Sequence, residues 1–274
     1  MRTQLLKIRR IYRFVPTCLT LGNSVCGFIA ILNTCLIYRA VDTDVPRILV
    51  TSAWLIGGAM LFDMLDGWTA RKLHASSEYG VEMDSLADMV TFGVAPAVMV
   101  AMMAHADVLG TFGWLSWRWV WVACGVYVCC TALRLALYNV LTHRPSTESA
   151  DAISFHGLPS PGAAAAICSI VVLYRSDSVS DDMVTRLVQV LPFYLVILAG
   201  LMVSSFPYLH VGKWLGNKKR NKLKIFLLIV FFLFFAYRPP LTIAVAVNVY
   251  IFLGPVGAVV KRFSSRYSQS SGAG

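Results

Sequence analysis

Long apolar runs constrain the fold of this chain more than any other feature of its sequence. Eight of them cover residues 14–38, 48–66, 84–106, 118–141, 160–175, 187–205, 223–237 and 240–260. Most approach the length of about 20 residues that a helix needs to cross a bilayer. Because backbone polar groups find no water in hydrocarbon, such runs must be helical. The sequence therefore predicts an all-α, polytopic membrane bundle of about eight transmembrane helices.

Composition excludes a soluble domain. Of the 274 residues, 57% are hydrophobic and 14% are charged, whereas soluble domains contain about 25% charged residues. The net charge of +10 does not indicate a nucleic-acid partner, because the basic residues lie in short loops beside the apolar runs. There they orient the spans relative to anionic membrane lipid. The seven cysteines show no CxxC pair, which indicates packing residues.

The chain divides into four segments around these runs. Residues 1–13 are basic and mildly amphipathic, typical of a helix on the cytoplasmic surface. Residues 14–210 form the main membrane domain, and residues 211–262 hold a basic loop and two C-terminal transmembrane helices. These last two helices are separated only by Arg238, Pro239 and Pro240, so a broken re-entrant pair is the alternative there. Residues 263–274 are small and polar, which predicts a disordered tail.

The distribution of Lys and Arg predicts the orientation. Most of the 24 basic residues fall in segments 1–13, 213–224 and 261–266, which share one side of the membrane if every apolar run crosses it. Cytoplasmic loops carry the excess of positive charge. We therefore expect a multi-pass protein of the cell (inner) membrane with both termini in the cytoplasm.

An acidic stretch, residues 63–88, lies between two of the apolar runs and holds six of the 14 acidic residues. Ionisable groups at a membrane boundary are costly and commonly functional. Helical spacing puts Asp63 and Asp66 on one face of one helix, and Asp84 and Asp88 on one face of the next. The short polar loop between them makes the two helices antiparallel neighbours, so the four carboxylates can converge. An all-oxygen cluster without nearby His or Cys selects Mg²⁺, Mn²⁺ or Ca²⁺.

These aspartates belong to a longer pattern, D-x2-D-G-x2-A-R-x8-G-x3-D-x3-D. It is complete here as Asp63, Asp66, Gly67, Ala70, Arg71, Gly80, Asp84 and Asp88. The pattern resembles the signature of the CDP-alcohol phosphotransferase family. Members are integral membrane enzymes that join an alcohol to the lipid or polyol half of a CDP-activated substrate and release CMP. A charged loop between two membrane helices, the simpler alternative, does not require this spacing.

Other segments resemble the bacterial and archaeal phosphatidylserine synthase branch of that family, over residues 16 to about 210. They are PTCLTLGNSVCGFIAI (with Thr20, Asn23 and Gly27), SLADMVTFGVAP, RLALYN, FHGLPSP and LMVSSFPY. Two positions depart from the branch. Thr17 stands where Asn commonly follows Pro, and Leu137 stands where a second Arg is frequent. The departure at Leu137 affects the expected binding of the acceptor or head group, but not the expected metal chemistry.

The resemblance implies transfer of the phosphatidyl group of CDP-diacylglycerol to L-serine, by a homodimer in membrane lipid. Two divalent cations, Mg²⁺ or Mn²⁺ or else Ca²⁺, are expected to bridge the diphosphate and assist an in-line displacement. Their ligands are expected to be Asp63, Asp66, Asp84 and Asp88. Asp88 is also the candidate general base for the serine hydroxyl.

The remaining candidate residues concern substrate binding. Small residues leave room for cytidine and ribose, and Arg71 is expected near the nucleotide phosphate. The CDP-lipid set is Gly67, Ala70, Arg71, Gly80, Thr20 and Asn23. Arg134, a basic residue within the fourth apolar run, is the candidate contact for a carboxylate or phosphate, since guanidinium binds both in bidentate fashion. Asn139 is its weaker partner.

Alternatives stay open at the level of sequence. The same chemistry can use glycerol 3-phosphate, inositol phosphate or choline as acceptor. A phosphorylated acceptor demands several basic residues, whereas Arg134 is alone at mid-span. Choline favours an aromatic cage, for which Tyr127 and Tyr138 are available. From another class, a divalent-cation transporter would use the same carboxylates, although they cluster toward one membrane face. A purely structural protein leaves the cluster unexplained.

Overall fold

A computed structural model describes residues 2–40, 44–73, 78–106, 117–142, 157–173, 181–206, 208 and 222–270. Its helices are α1 (Arg2–Cys35), α2 (Val45–Leu73), α3 (Glu78–Asp88), α4 (Ala95–Ala106), α5 (Trp117–Thr142), α6 (Ser160–Leu173), α7 (Asp181–Val203), α8 (Lys222–Tyr237) and α9 (Pro239–Ser270). A 3₁₀ turn, Leu36–Arg39, extends α1, and a π-helical segment, Met89–Val94, joins α3 to α4. These described residues contain no strand, so the predicted all-α class is confirmed.

Several helices are suited to a membrane. Five segments are long and apolar enough to cross it, namely Phe14–Arg39, Val45–Leu73, Glu78–His105, Arg118–Leu141 and Pro239–Gly257. Two further apolar helices, Ser160–Leu173 and Gln189–Val203, are shorter. The predicted helical membrane bundle is confirmed to this extent, and the number of eight crossings stays a prediction.

The two ends of the chain differ from the predicted segments. Residues 2–13 are continuous with the first span and form part of α1. At the other end, α9 continues to Ser270, so residues 263–270 are helical where a disordered tail is predicted. That stretch has neither Pro nor Gly, and extending an existing helix avoids the unfavourable nucleation step. Residues 271–274 of the predicted tail lie outside the described part.

Helices α1 and α2 lie antiparallel, as two contacts at opposite ends of the pair indicate. A Cβ at Gly22 would lie 3.2 Å from the Phe62 ring. Farther along, the Thr34 hydroxyl donates to Oγ of Ser52 at 2.8 Å. Polar contacts between membrane helices contribute about 0.6 kcal/mol each on average, so they set the alignment more than the stability. This alignment brings the buried Thr20 beside the acidic end of α2.

The third span is interrupted just after the acidic motif. Pro96 has no N–H to donate to the carbonyl of Phe92, one helical turn earlier. The Tyr127 hydroxyl of α5 donates to that carbonyl instead, at 2.9 Å. Within the π segment, the Thr91 hydroxyl donates to the Asn23 carbonyl of α1 at 3.2 Å. A carbonyl freed inside a membrane, such as that of Phe92, needs such a partner. The two contacts also hold this span against α5 and α1.

The start of α6 is fixed to the end of α7. Gly157 has φ +112°, and the carbonyl oxygen of Met202 lies 2.6 Å from where a Cβ would stand, so only glycine fits. Its N–H donates to the Phe206 carbonyl at 2.8 Å, and the Leu158 N–H donates to the Leu201 carbonyl at 3.0 Å. These bonds hold the residues just before α6 against the last turn of α7 and the residues that follow it. Helix α6 also packs between α2 and α9.

Candidate active site

Three of the four motif aspartates converge between α2 and α3. Carboxylate oxygens of Asp63, Asp66 and Asp84 all lie within 4.8 Å of one another. One helix supplies two of them and the facing helix the third, as the spacing predicts. Oδ2 of Asp66 and Oδ1 of Asp84 are buried and make no hydrogen bond within the described part of the chain. Buried polar atoms are normally paired, so both oxygens are available to a ligand.

This donor set fits a hard divalent cation. Among the described residues the cluster contains carboxylates alone, without His or Cys. Carboxylates this close repel one another strongly in surroundings of low polarity, and a bound cation offsets that repulsion. Oxygen-only ligand sets are preferred by Mg²⁺, Mn²⁺ and Ca²⁺. Asp63, Asp66 and Asp84 are therefore the residues that would hold the metal.

Asp88 lies beside this cluster and is bound to α1. Its Oδ1 accepts a hydrogen bond from Nδ2 of Asn23 at 3.0 Å, and the residue is 8% exposed. It lines the same cavity as Asp63 and Asp84. The structure thus brings three of the four predicted carboxylates together. Helix α1 holds the fourth, Asp88, next to them.

Helix α1 supplies the polar contacts behind the aspartates. Asn23 is fully buried, and its Oδ1 makes no hydrogen bond within the described residues. The Thr20 hydroxyl donates to the Pro16 carbonyl at 3.1 Å and also lies against Asp66. A Cβ at Gly27 would lie 2.9 Å from Cα of Thr91, so glycine permits the close approach of α1 to the π segment. Thr20 and Asn23 thus contact the aspartates, whereas the predictions assign them to the CDP-lipid.

A cavity of about 350 Å³ opens beside the aspartates. Arg134 of α5 lines it, and its Nη1 donates to Oγ of the buried Ser160 at 3.0 Å. The guanidinium interacts electrostatically with Asp88 and Asp63. Because the described lining combines carboxylates with this one arginine, the cavity can bind a cation and an anion side by side.

The other predicted nucleotide residues lie near the end of α2 and the start of α3. Arg71 is exposed, and its Nη1 lies 3.3 Å from where a Cβ would stand at Gly67. Glycine at that position therefore leaves room for the guanidinium. Ala70 and Gly80 are both half-buried, the first near the end of α2 and the second near the start of α3.

Asn139 binds neighbouring protein groups. Its Oδ1 accepts the Ser85 hydroxyl at 3.0 Å, and its Nδ2 donates to Glu82 at 3.1 Å. These bonds tie α5 to α3, and the described lining of the cavity does not include Asn139. The predicted role as a partner of Arg134 stays untested, while the observed one is to align two helices.

The lining residues without a role in the sequence predictions include Ser160, Tyr208 and Tyr250. The first two lie in FHGLPSP and LMVSSFPY, segments noted only for their resemblance. Tyr250 is one aromatic residue in an apolar run, so no local signal marks it. Of the two tyrosines suggested for an aromatic cage, Tyr138 lines the cavity, whereas Tyr127 is fully buried and bonded to Phe92.

Two helices carry the acidic cluster, and several helices of the bundle are long and apolar enough to cross a membrane. These features define a helical membrane protein with an acidic polar site. The sequence model of the CDP-alcohol phosphatidyltransferase family matches residues 13–203. That range contains all four motif aspartates, and the chain belongs to this family. The resemblance seen in the acidic motif is thereby confirmed.

Individual relatives agree with this assignment. The chain is 32% identical over 206 residues to the CDP-diacylglycerol–serine O-phosphatidyltransferase of Helicobacter pylori, covering 75% of this chain and 78% of the relative. It is 31% identical over 205 residues to the Bacillus subtilis protein of the same name, covering 73% and 92%. It is also 30% identical over 203 residues to the archaetidylserine synthase of Methanothermobacter thermautotrophicus, covering 72% and 70%.

Proposed function

We propose that this protein transfers the phosphatidyl group of CDP-diacylglycerol to L-serine, giving phosphatidylserine and CMP. One observation carries the proposal: a carboxylate cluster suited to divalent cations shares a cavity with a single described arginine. The names of the similar bacterial proteins, which specify CDP-diacylglycerol and serine, support both substrates.

The diphosphate of the CDP-lipid is the part that needs the aspartates. Asp63, Asp66 and Asp84, with Asp88 at their edge, would hold two divalent cations, Mg²⁺ or Mn²⁺. When bound, such ions neutralise a diphosphate and stabilise CMP as the leaving group. Gly67, Ala70 and Gly80 have small side chains or none, so they leave space on the helix surfaces where cytidine and ribose would lie. Arg71, exposed at the end of α2, would contact the nucleotide phosphate.

Asp88 is the proposed general base. Asn23 holds its Oδ1, which orients the carboxylate and leaves the other oxygen for the acceptor hydroxyl. As the serine oxygen bonds to the lipid-side phosphorus, the bond from that phosphorus to the CMP oxygen breaks, and the hydroxyl proton passes to Asp88. The residue lies in the cavity itself, as a proton acceptor must.

Arg134 would bind the serine carboxylate. A guanidinium matches a carboxylate with two parallel hydrogen bonds. One arginine among the described lining residues suits an acceptor with one carboxylate better than a phosphorylated alcohol. Choline fits less well because its cation would lie near Arg134, whatever the aromatic residues contribute.

The cavity would face the cytoplasm, from which soluble serine reaches Asp88. We infer eight membrane crossings, both termini on the cytoplasmic side of the cell (inner) membrane, and a homodimer. The excess of Lys and Arg in the segments on that side supports the orientation.

The test is CMP release from CDP-diacylglycerol by the purified protein with Mg²⁺ or Mn²⁺. L-serine is compared with glycerol 3-phosphate, inositol phosphate and choline. We expect release only when serine and metal are both present, and loss of release in Asp63→Asn. Asp44→Asn, the same change at an exposed position near the start of α2, is the matched control. Release with another alcohol alone would refute the serine assignment. No release, with metal-ion flux into liposomes, would indicate a transporter.

A further inference from the structure

Two tyrosines beyond the family match complete the cavity wall. Tyr208 follows α7 and Tyr250 lies in α9, whereas the match ends at residue 203. Both residues line the cavity with Arg134, and Tyr250 interacts electrostatically with that guanidinium. The two tyrosine rings lie 5.9 Å apart and are tilted by 52°. The C-terminal part of the chain therefore contributes to the site directly.

The ring of Tyr208 packs directly on the backbone of α9. A Cβ at Gly254 would lie 2.5 Å from Cε1 and 2.6 Å from Cζ of Tyr208, a separation that real side chains do not adopt. Gly254 is buried, and its lack of a side chain lets the ring pack directly on the helix. Such packing limits the rotamers of Tyr208, so its hydroxyl is held in place before a ligand arrives.

The Tyr208 hydroxyl is buried and has no hydrogen-bond partner within the described residues. An unpaired buried hydroxyl is unfavourable for the folded protein. The nearby Tyr194 differs in this respect, because its hydroxyl donates to Asn248. Burial, with a smaller contribution from Tyr250, raises the pKa of Tyr208 to about 12. The phenol therefore keeps its proton at neutral pH and can serve as a hydrogen-bond donor.

We propose that the Tyr208 hydroxyl donates a hydrogen bond to the carboxylate of the amino-acid acceptor that Arg134 binds. This inference rests on the proposed function and adds a specificity residue to it. A carboxylate accepts several hydrogen bonds, so it can receive the guanidinium and the phenol together. An acceptor without a carboxylate leaves the Tyr208 hydroxyl without this bond, which is a strong basis for discrimination. Gly254 acts through Tyr208 and is a positioning residue.

Tyr208→Phe removes the hydroxyl and keeps the ring. We expect the KM for L-serine to rise roughly tenfold, as for loss of one hydrogen bond to a charged group, with the KM for CDP-diacylglycerol within about twofold. Serinol, which has the hydroxyl and amine of serine without its carboxylate, should be used equally poorly by the variant and the wild type. Tyr237→Phe, the same change at a residue that is 76% exposed, should match the wild type.

A second variant tests whether packing on Gly254 positions the Tyr208 ring. Gly254→Ala forces the Tyr208 ring to move, so the KM for serine should rise while CDP-diacylglycerol binding is retained. An unchanged serine KM in Tyr208→Phe would overturn the inference. So would an equal loss with serinol, or a parallel rise in both KM values, because either marks a structural role. If the wild type itself releases no CMP with serine, the proposed function fails, and the two failures are thus distinguished.

Discussion

Nδ2 of Asn23 lies 3.0 Å from Oδ1 of Asp88, joining α1 to the last aspartate of the motif across 65 residues of sequence. Both side chains are buried, with Asn23 at 0% and Asp88 at 8% exposure. Helix α1 carries none of the motif aspartates, yet this bond orients one of them. The first span thus holds the carboxylate that we propose as the proton acceptor.

Asn23→Ala should lower kcat without preventing CDP-diacylglycerol binding. Loss of a group that orients a functional carboxylate commonly costs about 10–100-fold in activity. Asn33→Ala is the control, since Asn33 also lies on α1 and bonds to α2 through Ile48 and Ser52, away from the cavity. Steady-state kinetics of both variants decide the point. Equal losses in the two would mean that α1 packing, and not Asp88, is affected.

Asp88→Asn should separate binding from turnover. The amide keeps the size of the side chain but cannot take the acceptor proton, so we expect a loss of roughly 10²–10⁴-fold in kcat. Metal-dependent binding of CDP-diacylglycerol, measured by calorimetry, should persist because Asp63, Asp66 and Asp84 remain. Asp84→Asn is the comparison and should weaken that binding. Normal turnover by Asp88→Asn would show that another group is the base.

Divalent metal should stabilise the folded protein without substrate. A ligand that binds only the folded state at 100 times its Kd adds about 2.7 kcal/mol to the free energy of unfolding. We expect Mg²⁺ or Mn²⁺ to raise Tm in detergent and EDTA to reverse the rise. Asp66→Asn should remove the effect, because its buried Oδ2 is one of the available ligands. A Tm shift of full size in Asp66→Asn would contradict the assigned site.

Asn248→Leu should loosen α9. The Tyr194 hydroxyl donates to Oδ1 of Asn248 at 2.5 Å, and Nδ2 of Asn248 lies 3.5 Å from Oγ of Ser169. Hydrogen bonds between membrane helices contribute about 0.6 kcal/mol on average and up to about 1.7. Unfolding in mixed detergent should therefore show a loss in that range. Val249→Ala, at a position 52% exposed, should change stability less.

The local part of the site could be predicted from sequence, because helical periodicity is a property of neighbouring residues. The convergence of Asp63, Asp66 and Asp84 follows from spacing and a short loop alone. The π segment leaves a partial signal in Pro96, whose missing N–H requires another donor for Phe92. The cavity wall could not be predicted in this way, because Tyr208 and Tyr250 come close to Arg134 only through the packing of segments that are distant in sequence. No periodicity encodes that contact, just as none encodes the bond from Asn23 to Asp88.

The packing of Tyr208 on Gly254 also has a consequence for biosynthesis. Chains emerge from the ribosome N-terminus first, so the acidic motif enters the membrane long before α9 does. Until α9 is inserted, Tyr208 lacks its backing helix and the cavity lacks Tyr250. A partly synthesised chain therefore carries the aspartates without all of the residues proposed to bind the acceptor. Serine recognition would therefore be acquired only after α9 has entered the membrane.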